Sequence, residues 1–158
     1  MPTNSAPLPQ GSIIGILGGG QLGRMLALAA ARLGLRTHIY DPDPAAPAFD
    51  VTPRHTVAAY NDEAALASFA AAVDAVTYEF ENVPAATAHF LARLKPLHPG
   101  ANALAIAQDR LAEKAFLTLH RVPVAPFAAI PDLDALDLAL EELGAPAVLK
   151  TTRLGYDG

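Results

Sequence analysis

Ile13-Ile14-Gly15-Ile16-Leu17-Gly18-Gly19-Gly20-Gln21-Leu22-Gly23-Arg24-Met25 decides the fold. Its first five residues form a continuous apolar run, the pattern of a strand covered on both faces. Glycines 18 to 20 follow. Leu22, Met25, Leu26, Ala29 and Leu33 then recur at helical spacing, and Gly34 stands where a helix C-cap belongs. A strand, a glycine turn and a helix open a βαβ unit.

Further along, Thr37-His38-Ile39-Tyr40 reads as the second strand, ended by Asp41-Pro42-Asp43-Pro44, and His55-Thr56-Val57 as a short third. Asp62 caps a helix running to about Ala72, residues 73–80 are a strand candidate, and Pro84 opens a helix carrying Ala88, Leu91 and Leu94. Leu97-His98-Pro99 reads as a closing strand. Strands alternating with helices predict an α/β fold with a parallel, Rossmann-like sheet. The pattern changes near Pro99-Gly100: a charged helix over 104–120, an extended 122–126, a helix over 133–143 and a strand over 147–150 follow. The expected organisation is a disordered leader (1–12), a parallel-sheet domain (13–100) and an incomplete small α+β domain (101–158), since a strand entering a glycine loop is an unusual place for a domain to stop.

Composition narrows the function. The chain has 158 residues, 52% hydrophobic, enough for a sizeable core and too apolar for a disordered tail. A formal charge of -5 gives nothing to neutralise a phosphate backbone, so no nucleic acid partner is expected. The absence of Cys excludes disulfides, thiolate zinc sites and a cysteine nucleophile. The N-terminus lacks a signal peptide's basic and apolar regions, and Arg32 and Arg36 interrupt the apolar run after Met25, so a cytoplasmic protein with no membrane association is expected.

Gly18, Gly20 and Gly23 form G-x-G-x-x-G, and Asp41 follows where a ribose-binding acid sits in NAD-binding folds. The residues leave two readings open, a dinucleotide or glycines that only permit close packing. Gln21 and Arg24 either touch a ligand or face water. In Tyr78-Glu79-Phe80-Glu81-Asn82, Glu79 lies beyond a strand's carboxyl end, where open parallel sheets bind ligands, and suits a sugar hydroxyl or an amine. Glu79 and Glu81 share a face if the strand continues, which makes a glycosidase pair conceivable; a solvated strand end is the plain alternative. Arg110 and Lys114 form a like-charge i,i+4 pair that needs an anion between them, either Glu113 or a phosphate. Lys150 is either a phosphate contact or a plain strand-end lysine. The five histidines show no metal-ligand spacing.

Four stretches in order carry a resemblance: Gly18 to Met25, then Thr77-Tyr78-Glu79-Phe80-Glu81-Asn82-Val83, then Ala107-Gln108-Asp109-Arg110 with Glu113-Lys114, and finally Gly155-Tyr156-Asp157-Gly158. Together they resemble the N5-carboxyaminoimidazole ribonucleotide synthases, ATP-grasp ligases of purine biosynthesis, from about Ile13 to the last residue. The glycine turn is shared with the formate-dependent glycinamide ribonucleotide transformylase and biotin carboxylase; the Tyr-Glu-Phe-Glu-Asn run selects the synthases. The resemblance implies carboxylation of 5-aminoimidazole ribonucleotide by bicarbonate, with ATP and Mg2+, by way of carboxyphosphate. It implies that the first domain binds the ribonucleotide and not NAD. Gln21, Leu22 and Glu79 match ribonucleotide-contacting positions, with Glu81 and Asn82 nearby. Arg110 and Lys150 match ATP contacts, and Gly155, Tyr156, Asp157 and Gly158 match the start of a loop over the phosphates. The family's loop continues Lys-Gly-Gln; here the sequence ends. The catalytic residues and the acids that hold magnesium are expected beyond it, making this chain an inactive N-terminal portion. A homodimer is implied as well. The alternatives are a ligand-binding or NAD-binding module, another ATP-grasp carboxylase or transformylase, and a fragment kept as an interaction domain.

Overall fold

In the computed structural model, which describes residues 7–154, the opening run forms strand β1 (Ile13–Leu17). Helix α1 (Gln21–Arg32) and strand β2 (Arg36–Asp41) follow, then a short 3-10 helix (Pro47–Val51), β3 (His55–Val57), α2 (Glu63–Ala71), β4 (Ala75–Tyr78) and α3 (Ala85–Ala92). Beyond them lie α4 (Ala101–Ala107), α5 (Arg110–Leu119) and α6 (Leu133–Leu143). The chain divides into two compact units, one ending at Leu104 and the other starting at Ala105. All four strands belong to the first unit, as a sheet ordered β3-β2-β1-β4 and parallel throughout. The α/β parallel-sheet expectation therefore holds.

Both faces of the sheet are covered, which accounts for the unbroken apolar run in β1. Ile13 and Leu17 pack on one side with Tyr40, Leu66, Phe69, Val76 and Leu91; Ile16 packs on the other with Ala27, Ile39 and Ala48. Helix α1 ends as its glycine predicts. Gly34, at φ 73°, donates to Ala31 O, and Leu35 N–H donates to Ala30 O, which satisfies the last carbonyls. The residues whose spacing marks α1 are not those that bury it. Gly23, Ala27 and Ala30 face the sheet, and Leu22, Met25, Leu26 and Leu33 are exposed. Small side chains let the helix axis approach the strands closely.

Several elements differ from the sequence pattern. The strand read over 73–80 is only Ala75–Tyr78: at its start the Asp74 carboxylate, in place of a strand carbonyl, accepts Ile13 N–H at 2.7 Å, and the chain bends at Glu79 and Phe80. The closing strand at Leu97 is a single bridge to Val76, with Pro96 and Pro99 on either side lacking the N–H groups to extend it. The helix over 104–120 is broken into α4 and α5 by Asp109, whose carboxylate accepts Leu111 N–H at 3.0 Å and Ala112 N–H at 3.1 Å as the cap of α5. Residues 147–150 form no strand ladder among the described residues, and the second unit has no other described strand for them to pair with. Of the expected leader, residues 1–6 lie outside the described residues. At its other end Gly11 N–H donates to Gly34 O at 2.8 Å, and Arg36 Nε donates to Gly11 O at 2.8 Å. No helix among the described residues is long and apolar enough to cross a membrane.

His38, on β2, bonds Thr56 Oγ1 through Nε2 at 2.9 Å and meets the Phe69 ring edge-on, 5.0 Å between centroids. Its Nδ1 is buried without a partner among the described residues. Burial first, then the charges of Arg54 and His55, hold its pKa below the ordinary 6.5. Below that value the unfolded chain takes up the proton more readily than the native one. The stability gained by a neutral His38 is therefore complete above 6.5 and is lost as pH falls through the native pKa. The urea midpoint should fall between about pH 7.5 and about pH 5, and His38→Gln should flatten part of that fall. An identical pH dependence in the variant would discard the assignment.

Candidate functional site at the glycine turn

The neighbours of β1 diverge in sequence, β2 on one side and β4 on the other, so the sheet's switch point lies at the carboxyl ends of β1 and β4. In open parallel sheets that crevice takes the ligand. The glycine turn leaves β1 there, and Glu79 leaves β4 there, its N–H donating to Leu17 O at 3.0 Å.

Glycine is required by what fills the turn. Gly18 has φ 96°, and a Cβ on it would strike the Glu79 side chain. Gly20 N–H donates to Glu79 Oε1 at 2.8 Å, and Gly23 N–H donates to Glu79 Oε2. No side chain at Gly20 caps α1; a carboxylate 59 residues further along takes that place. It sits where the helix dipole and free N–H groups favour an anion. The position that holds a pyrophosphate in dinucleotide-binding turns is thus occupied by the chain's own carboxylate.

Asp41 is turned the same way. Its Oδ2 accepts Gly19 N–H at 2.6 Å and its Oδ1 accepts Asp43 N–H at 2.8 Å. The expected offset from the turn is present, but the acid holds the turn and does not reach outward to a ribose. Tyr60 joins it, with its hydroxyl 3.5 Å from Asp41 Oδ2. Burial, then the Asp41 and Glu79 charges, push the Tyr60 hydroxyl's pKa upward, so it stays a donor. The sequence offered no sign of Tyr60: one aromatic in a turn has no spacing to read, and only the fold brings it to β2.

The other first-unit candidates neighbour the turn or Glu79 along the chain. Gln21 and Leu22 open α1 beside Glu79 and are exposed. Glu81 and Asn82 are half-buried in a turn. Strand β4 ends at Tyr78, so Glu79 and Glu81 do not share a strand face, and the carboxylate pair of a glycosidase is not formed that way.

In the second unit, Arg110 begins α5 and its N–H donates to Thr152 O at 2.9 Å, which brings the 152 segment to the helix start. Arg153 pairs with Asp109 at 3.1 Å. The Ala112 N–H, with Arg153 and the Leu111 N–H, holds the Asp109 carboxyl below the usual range against its desolvation. Lys114 turns to the 125–127 segment, donating to Ala125 O at 3.2 Å with its ammonium 5.1 Å from the Phe127 ring centroid. Lys150 is exposed and, contrary to the sequence pattern, does not end a strand. Gly155, Tyr156, Asp157 and Gly158 lie outside the described residues. Among the described residues no group of three or more His, Asp or Glu stands close enough to hold a metal ion.

Comparison with known proteins places the whole chain among related sequences. The N5-carboxyaminoimidazole ribonucleotide synthase of Brucella melitensis is 52% identical over 151 residues, covering 96% of this chain and 42% of that protein. A synthetase of that name solved as its ADP complex superposes with a TM-score of 0.90 at 40% identity, over 96% of this chain and 40% of its own. The Aspergillus clavatus synthase, solved with ADP and 5-aminoimidazole ribonucleotide, gives 0.80 at 28% identity, over 92% of this chain and 40% of its own. The chain thus spans about two-fifths of the length of the relatives it matches. The model of the ribonucleotide synthetase preATP-grasp domain matches residues 12–108, across the whole β1–β4 sheet with its glycine turn and Glu79, and the chain belongs to that family.

Proposed function

We propose that this chain binds the ribonucleotide substrate of an ATP-dependent ligase that carboxylates 5-aminoimidazole ribonucleotide. The observation that carries the reading is the Glu79 carboxylate, held on the N–H groups of Gly20 and Gly23 at the switch-point crevice. A carboxylate so placed repels a bound pyrophosphate. Each of its oxygens keeps a second lone pair for a ligand hydroxyl or amine. The similar Aspergillus clavatus protein, whose solved complex contains 5-aminoimidazole ribonucleotide, supports the same ligand class. In this reading Gln21 and Leu22 are the further ligand contacts, with Glu81 and Asn82 nearby in the chain.

In the proposed reaction a bicarbonate oxygen attacks the γ-phosphorus of ATP, ADP leaves, and carboxyphosphate forms. The exocyclic amine attacks its carbonyl carbon, phosphate departs and the amine proton is lost, leaving the N5-carbamate. Arg110 and Lys150 are the cations this chain offers to the phosphates, with Gly155, Tyr156, Asp157 and Gly158 as the start of the covering loop. Magnesium belongs to the reading of the whole ligase, but the described residues do not fit it, and no step here runs through it. The proposed organisation is a domain over 13–100 followed by the start of a lid over 101–158, in a cytoplasmic protein. The exposed Met25, Leu26 and Leu33 on α1 favour association with a second copy.

Titration of the chain with 5-aminoimidazole ribonucleotide, followed by amide chemical shifts, should move Gly20, Gln21, Leu22 and Glu79, whereas NAD should move none of them. Stoichiometric NAD binding at the turn would replace this reading with a dinucleotide-binding module. Sedimentation of the same sample should give a dimer that Met25→Asp dissociates, and a monomeric parent removes the self-association.

A further inference from the structure

Asp41 stands where dinucleotide-binding folds keep a ribose acid, yet both its oxygens are engaged by backbone N–H groups of its own chain. Gly19 is held through both of its peptide units. Its N–H donates to Asp41 Oδ2 at 2.6 Å, and its carbonyl accepts Ala48 N–H at 2.8 Å. There is no slack beside it, since a Cβ on Gly19 would lie 2.7 Å from Ala46 Cβ and 3.1 Å from Asp41 Cβ. The very next N–H, that of Gly20, holds Glu79 Oε1.

Tyr60 secures the acid in turn. Its ring stacks on Tyr40 at 6.0 Å, its carbonyl accepts the Thr87 hydroxyl at 2.6 Å, and its own hydroxyl stands 3.5 Å from Asp41 Oδ2. Tyr40, buried beneath it, donates its hydroxyl to Ala59 O at 2.7 Å. The tyrosine is thus anchored through ring and backbone, and only its hydroxyl is left to act on the acid.

We propose that Asp41, steadied by Tyr60, is a positioning residue for the ribonucleotide: by holding Gly19 it fixes the peptide whose N–H aims the Glu79 carboxylate. Asp41 touches no ligand in this arrangement. It acts through two consecutive peptide units: it holds the Gly18–Gly19 peptide, and a rotation of the Gly19–Gly20 peptide that follows would swing the Gly20 N–H away from Glu79. The proposal rests on the ribonucleotide reading of the site, and it assigns affinity for that substrate, not for ATP, to an acid at the end of β2.

The test is steady-state kinetics of the full-length ligase with 5-aminoimidazole ribonucleotide and ATP varied separately. Asp41→Ala should raise KM for the ribonucleotide about tenfold, while kcat and KM for ATP move by less than about twofold. Asp41→Asn, which still offers one oxygen to Gly19, should fall between, at about threefold. Tyr60→Phe should raise the same KM about twofold. The Gly19 amide proton, strongly bonded to a carboxylate in the parent, should shift upfield in both Asp41 variants. If Asp41→Ala does not fold, Asp41→Asn and Tyr60→Phe carry the test. An unchanged ribonucleotide KM, or both KM values rising together, would overturn the positioning role while leaving the ribonucleotide reading intact. A parent enzyme without ribonucleotide-dependent ATP turnover would overturn that reading, and the proposal with it.

Discussion

Glu79→Ala should be the most damaging single polar substitution in the first unit, lowering the unfolding free energy by about 3 kcal/mol. Two helix N–H groups, those of Gly20 and Gly23, lose their acceptor together. Hydrogen bonds to a charged group contribute about 1.5–3 kcal/mol each, and water reaching the half-buried site recovers part of the loss. Glu79→Gln should recover little, because its amide turns a donor toward one of two donors. Urea unfolding followed by circular dichroism measures the stability, and titration of 5-aminoimidazole ribonucleotide measures the second effect, an affinity loss of at least about tenfold. Both follow from one carboxylate that caps the helix and that is proposed to accept the ligand as well. A Glu79→Ala protein as stable as the parent would show that the cap contributes nothing. Unchanged ribonucleotide affinity would remove Glu79 from the site.

Gly23→Ala should reverse the usual sign of a glycine-to-alanine change within a helix. Ordinarily the exchange stabilises by about 0.5–1 kcal/mol. At position 23 the new Cβ would lie 2.5 Å from Gly18 O and 3.0 Å from Glu79 Oε2. The first neighbour is backbone at the bend of the turn, and the second is held by the cap, so neither can yield cheaply. Overpacking of this kind costs about 1–3 kcal/mol, and the displaced turn also loosens the Glu79 hydrogen bonds, giving a net loss of about 2 kcal/mol. Gly100 supplies the control: a Cβ there meets nothing within 4 Å, so Gly100→Ala should stay within about 0.5 kcal/mol of the parent. The comparison is made by urea midpoint at constant slope. A Gly23→Ala protein more stable than the parent would mean that α1 does not sit against the turn as described.

The sequence by itself determined most of the first unit's architecture. The unbroken run at Ile13–Leu17, the glycines after it, Gly34 and the Asp62 cap are local signals, carried by hydropathy, φ preference and short-range hydrogen bonds. Each is legible because its cause lies within a few residues. The four ordered motifs pointed to the family by the same local means. What the glycine turn contains was a different matter. G-x-G-x-x-G with Asp41 downstream leaves a dinucleotide and glycines that only permit close packing both open; what fills the turn depends on Glu79, 56 residues beyond Gly23, reaching it. That contact exists only because β1 and β4 are neighbours in the sheet. The buried face of α1 was decided in the same way: the large apolar residues set the helical period, but the closeness required at the turn selects Gly23, Ala27 and Ala30. Asp109 broke a continuous helical pattern because a cap bond competes with helix continuation, a balance that hydropathy does not record. Residues 147–150 carried strand residues without forming a strand among the described residues, because a ladder needs a neighbour and propensity supplies none. Local chemistry wrote the elements; pairing between distant strands decided which side chain occupies the turn.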